Sequence, residues 1–258
     1  MKLIPLSALC CSLLLHGGGM ARAQQIKTLK FSGREWEARG TGKGGPGPNQ
    51  WNPNNVWVDK AGMLHLKITR IANKANPIQA EWQCAELTSK ERFGMGRYQF
   101  QVIGRIDRLD HNVVLGLFDY PTADVGLDGT NEIDIEFAHW GNPKWPNGNY
   151  TIYPSAGERG KNDSHTFTYT LEGTDRNAYT TQRFIREADK VTLQSLNGHR
   201  DDDQNQFAKW VYAPPDKRLI PQQPLPVHIN LWLFQGKVPF DGKEVEVIIK
   251  AFAFTPAA

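Results

Sequence analysis

Between Asn131 and Phe137 the chain reads Asn-Glu-Ile-Asp-Ile-Glu-Phe, three carboxylates in strict alternation with apolar residues. Side chains of a β-strand point to opposite faces with period two. Glu132, Asp134 and Glu136 therefore share one face, and Ile133, Ile135 and Phe137 share the other. A helix would scatter both sets around its barrel. The segment reads as a strand with a buried back and an acidic front. Acids side by side repel one another, so a strand built only for support has little reason to carry three. The spacing points to chemistry.

The rest of the chain agrees with a β reading. Short β-type runs recur at Met63–Thr69, Tyr98–Val102, Asn112–Phe118, Thr166–Thr170, Lys190–Leu193, Val227–Phe234 and Val245–Phe254, with Gly, Pro, Asn and Asp between them. No sustained helical stripe accompanies them. Many strands in sequence with turn chemistry between them predict an all-β sandwich or barrel. No repeat period or dividing linker is visible. The Gly-, Pro- and Asn-rich stretch 40–55 contains Trp51 and reads as an ordered loop, and Asp201-Asp-Asp203 as a solvated one.

The first 23 residues set the expected location. Met1 and Lys2 form a short basic start, Leu3 to Leu15 are mostly apolar, and a polar stretch ends in Ala21-Arg22-Ala23. That is the layout of a signal peptide, so the mature protein is expected to be secreted or periplasmic. The apolar run is too short to span a membrane, and no later run is long enough. Residues 24–258 then form a single domain, long enough for one large sheet-based core. Only Cys84 lies in that part, so no internal disulfide is available and the fold rests on its core. Losing Lys2 and Arg22 lowers the formal net charge from +3 to +1. No basic patch invites nucleic acid, and the expected partner is an uncharged or weakly charged polysaccharide bound by a monomer.

Paired carboxylates on a strand suit glycoside hydrolysis. Retaining enzymes hold two carboxyl groups about 5–5.5 Å apart, one attacking and the other donating a proton. Inverting enzymes need a wider gap of roughly 6.5–9.5 Å for a water. The Cα atoms of Glu132 and Glu136 lie about 13 Å apart on an extended strand, a gap that inward-leaning side chains can largely close. Spacing permits retention without deciding it. Asp134 between them can share a proton or hydrogen bond, keeping one Glu protonated and the other ionised. Calcium prefers a wrapping loop with carbonyl ligands, and an alternating strand is a poor cage. No metal and no cofactor is expected.

Glu132-Ile-Asp-Ile-Glu136 resembles the signature of glycoside hydrolase family 16, in the compact form of the lichenase and xyloglucan transglycosylase branches. The likeness extends over residues 45–255. It includes Trp51-Asn-Pro-Asn-Asn-Val56, Gly62-Met-Leu-His-Leu66, Glu86 to Gly96 with its Phe-Gly-x-Gly ending, and Asn230-Leu-Trp232. The resemblance implies a concanavalin-like β-jelly roll of two antiparallel curved sheets with an open cleft. It implies Glu132 as nucleophile, Asp134 as supporting carboxylate and Glu136 as acid/base. Asn49, Glu86, Tyr120, Asn230 and Trp232 would bind substrate, with Trp140 and Trp145 as further stacking candidates.

Most of the eight Trp and twelve Phe belong in a core between two sheets, and Trp36, Trp57 and Phe252 are assigned there. His139, His165 and His228 are too scattered for a metal cluster and read as structural. The chain also departs from lichenases. Thr130 and Asn131 replace an aromatic residue and an acid before the motif, Thr88 replaces a basic residue, and the stretch Ala138 to Gly148 is unlike a lichenase loop. The expected activity is endo-hydrolysis of internal β-linkages in a polysaccharide, with a β-glucan as preferred substrate. A lectin-like binding domain and a transglycosylase are the alternatives.

Overall fold

Period-two alternation decides which way each strand faces, and seventeen strands follow it in the computed structural model, which describes residues 26–72, 80–155, 163–171 and 178–257. The expected signal peptide lies outside the described residues. One sheet runs β1 (Lys27–Phe31), β2 (Arg34–Ala38), β7 (Glu81–Phe93), β16 (Leu225–Leu233), β9 (Val113–Asp119), β10 (Glu132–Phe137), β11 (Gly148–Tyr153) and β12 (His165–Tyr169). The other runs β5 (Val56–Val58), β6 (Leu64–Ile71), β17 (Val245–Pro256), β8 (Gly96–Ile103), β13 (Tyr179–Arg186), β14 (Val191–Asn197) and β15 (Gln206–Tyr212). All pairings within the two sheets are antiparallel. The short hairpin of β3 (Gly42–Gly44) and β4 (Asn49–Trp51) lies against the start of β7, with β4 parallel to it. The fold is all-β, a jelly-roll sandwich. Every run expected from the sequence lies largely within a strand.

The long strand β7 joins the layers. Its first residues pair with β6, through Thr69 and Gln83, while its later ones pair with β2 and β16. Between the sheets Ile133, Ile135, Phe137, Leu115, Leu117, Ile229 and Leu231 meet Tyr98, Phe100, Phe184, Leu193 and Ile249, all fully buried. Each such side chain contributes roughly 1.5–3 kcal/mol by leaving water. The apolar half of the Asn131–Phe137 alternation is thus core, and its acidic half must face outward.

Three packing expectations resolve differently. Trp36 and Phe252 are core and meet edge to face at 5.4 Å. Trp57 is half-buried instead, stacked on His65 at 4.8 Å. The Asp201–Asp203 loop is pinned rather than merely solvated. Asp203 pairs with the buried Arg183 at 2.6 Å, and Asp201 accepts from Gln99 at 2.9 Å. No described helix is long and apolar enough to cross a membrane.

Candidate active site

Register carries the acidic face of β10 into a row that crosses the sheet. Glu136 lies opposite Gly116 on β9, Gly116 opposite Asn230 on β16, and Asn230 opposite Glu86 on β7. The next row joins Asp134, Phe118, His228 and Thr88. Cross-strand partners share a face, so these side chains converge. Glu136, Asn230, Glu86, Asp134, Phe118 and His228 line a cavity of about 670 Å³ together with Arg39, Gly45, Pro46, Tyr120, Asp128, Glu132, Trp140, Tyr153 and Trp232. Gly116 is glycine for space. A Cβ there would lie 2.4 Å from Asn230 Oδ1.

Of the residues expected to act, Glu132, Asp134, Glu136, Glu86, Tyr120, Trp140, Asn230 and Trp232 all lie on the cavity wall. Asn49 does not. It is buried behind the wall, where its amide donates to Pro46 O at 2.7 Å and Leu233 O at 2.9 Å and its Oδ1 accepts from Cys84 Sγ. Trp145 stands off the wall and is half-exposed. His228, read from sequence as structural, lines the cavity, with Nδ1 3.1 Å from Thr88 Oγ1 and 3.3 Å from Glu86 Oε1. Its alternation with Asn230 and Trp232 on β16 is the sequence signal that places it on their face. Arg39 and Tyr153 have no comparable signal. Tyr153 is the cross-strand partner of Glu132.

Burial governs the charges. It pushes Glu136 up to about 7 and Glu132 up to about 8. Asp134 is driven well above its ordinary range, by burial first and by the two neighbouring glutamates next. A hydrogen bond links Asp134 to Glu132, raising the one and lowering the other. At Glu132 the hydrogen bond works against burial, and at Asp134 it works with burial. The three acids hold protons as a set. Tyr153 is raised by burial and then by the same acids. Among the described residues no group of His, Cys, Asp and Glu is arranged to hold a metal ion.

Both ends of β10 turn through the left-handed region. Asn131 has φ 53° just before Glu132, and Trp140 has φ 51° three residues past the strand. The bulky Trp pays about 1–3 kcal/mol for that conformation. Its indole is held there, donating to Asn149 Oδ1 at 3.1 Å and packing on Trp232 and Phe234 at 6.2 and 5.6 Å. Asn149 lies opposite Glu136, so the inserted stretch Ala138 to Gly148 is tied directly to the acidic row.

Solved structures share this architecture. The Bacillus licheniformis β-glucanase aligns with TM-score 0.61 at 18% identity, covering 92% of this chain and 100% of its own. A glycoside hydrolase family 16 protein of a Bacteroides ovatus mixed-linkage glucan locus, solved with a product, aligns with TM-score 0.65 at 13% identity, covering 85% and 94%. The chain shares the jelly-roll fold of these proteins. The pseudo β-1,3-glucanase of Mycobacterium tuberculosis shares it too, with TM-score 0.61 at 16% identity over 86% of this chain and 91% of its own. No protein-family model matches the sequence, and no curated protein does either. At these identities the likeness is one of fold, and activity must be argued from the site.

Proposed function

We propose that the protein is an exported, endo-acting retaining glycosidase that cleaves internal β-linkages of a polysaccharide, a β-glucan by preference. One observation carries the reading. Three carboxyl groups from one strand meet on the wall of a cleft, where burial raises all three above the ordinary carboxylate range. A binding site has no use for such an arrangement, while acid and nucleophile catalysis depends on it.

In this mechanism Glu132 attacks the anomeric carbon and forms a glycosyl ester. The bond to the leaving oxygen breaks as Glu136 gives that oxygen its proton. Glu136 then takes a proton from water, which displaces Glu132 and releases the sugar. Asp134 keeps its own proton throughout and holds Glu132 by donating to it. Trp140, Trp232, Phe118 and Tyr120 offer apolar ring faces to sugars, and Asn230 and Glu86 offer hydrogen-bond partners.

Reducing-end release from a panel of β-glucans, xyloglucan, agarose and carrageenan tests the proposal. E132Q is expected to lose activity by about four to six orders of magnitude while its circular dichroism is unchanged. Near-normal turnover by E132Q would sink the mechanism. The pseudo-glucanase with this fold keeps a second reading in view, a carbohydrate-binding domain without turnover. A panel that shows binding and no product from the wild type favours it.

A further inference from the structure

Glu86 is a nearly buried carboxylate on the cleft wall, and Thr88, two residues along the same strand face, brings it no charge. The cation comes from elsewhere. Arg39 follows β2, and its backbone N–H extends that strand's ladder by donating to Glu86 O at 2.9 Å. Its Nη1 donates to Glu86 Oε2 at 2.8 Å and to Gly45 O at 2.7 Å. The guanidinium lies over the Trp51 ring at 4.2 Å. Gly44 makes room for it, since a Cβ there would sit 2.7 Å from Arg39 Nη2. Trp51 is fixed in turn by donating to Gly44 O at 3.0 Å.

The guanidinium is therefore clamped on one face and at one nitrogen. Its Nε and Nη2 edge has no partner among the described residues, and the side chain is one-third exposed on the cleft wall. Beside it stands one fixed acceptor group, the Glu86 carboxylate. Asn230, opposite Glu86 on β16, turns its buried, unpartnered Oδ1 toward Gly116 of β9 instead. A fixed donor edge next to a fixed acceptor matches two adjacent hydroxyls, each of which donates once and accepts once.

We infer that Arg39 is a specificity-determining residue of the cleft, donating to one hydroxyl of the bound sugar while Glu86 accepts from the next. The ring seated there is a neutral pyranose with two adjacent free hydroxyls. This deepens the glycosidase reading and rests on it. A sulfated ring is disfavoured because the Glu86 carboxylate cancels the Arg39 charge at contact distance. Burial alone would raise Glu86, but His228 and Arg39 outweigh it and keep the carboxyl below its ordinary value, hence ionised.

R39K and R39M test this on the neutral β-glucan that the wild type hydrolyses. Lys keeps the charge beside Glu86 but lacks the planar fork. Both variants are expected to raise KM about tenfold or more and to leave kcat within about threefold. Oligosaccharide affinity in the E132Q background, read by calorimetry, falls by the same factor, and R39K melts with the parent. If R39K restores wild-type KM and affinity, Arg39 is only a counter-ion and the inference fails alone. Preference of the wild type for carrageenan over neutral glucan also overturns it. A wild type that cleaves no polymer, with an E132Q variant that binds none, sinks the glycosidase reading and this inference together.

Discussion

Asp134 shows how one side chain sets the chemistry of its neighbours. Its hydrogen bond to Glu132 works against the burial that raises Glu132. Removing the donor therefore raises Glu132 further. D134A is expected to move the acid limb of the kcat/KM profile to higher pH, measured on any accepted polymer. D134N still donates from its amide, so its acid limb stays closer to the parent's. The three acids were legible in the sequence because alternation alone places them on one face. Alternation names a face and not a neighbour, however. Arg39 reaches Glu86 across 47 residues and His228 reaches it across 142, contacts that only strand pairing creates. Asn49, expected at the substrate, lies off the cavity wall with its amide donating to the Pro46 and Leu233 carbonyls.

The acidic strand β10 is an element held from behind. At its start, Asp119 on β9 projects into the core, where Oδ1 accepts the Ile133 N–H at 2.9 Å and Oδ2 pairs with Arg186 of β13 at 3.1 Å. Both residues are fully buried, and Arg186 also donates to Phe93 O and to Tyr98 Oη. Burial pushes Asp119 up to about 6 against the pull of Arg186. This ion pair ties the two sheets together directly beneath Glu132. D119A leaves a buried cation without its partner and is expected to cost about 3–5 kcal/mol in urea unfolding. D119L/R186L removes both charges and should recover much of that loss. The runs Val227–Phe234 and Val245–Phe254 were readable as strands because they are long and apolar. β1 and β2 were not, since Lys-Thr-Leu-Lys-Phe and Arg-Glu-Trp-Glu-Ala are short and highly charged. Yet β2 delivers Arg39.

For the whole molecule, the cleft is a concentration of buried acid that the fold must sustain. Burial raises Glu132, Asp134 and Glu136 together, so over part of the pH range the folded state keeps protons that an unfolded chain releases. The folded state then binds more protons, so stability falls as pH rises. The window runs from about pH 4.5 to about 8 for Glu132. Differential scanning calorimetry should find a lower Tm at pH 8 than at pH 5. E132Q and E136Q should flatten that slope and melt above the wild type at pH 8. A Tm that rises between pH 5 and 8 would mean that these acids are not the buried, protonated set described above. Stability given up at one place on the cleft wall is the expected cost of a catalytic site.

The central claim is that Glu132 forms a covalent bond to the sugar, and the stereochemistry of the first product tests it most directly. Proton NMR during the first minutes of β-glucan hydrolysis should show the β-anomer appearing first, with the α-anomer growing in later by mutarotation. The α-anomer appearing first would mean inversion, and would remove Glu132 from the role of nucleophile.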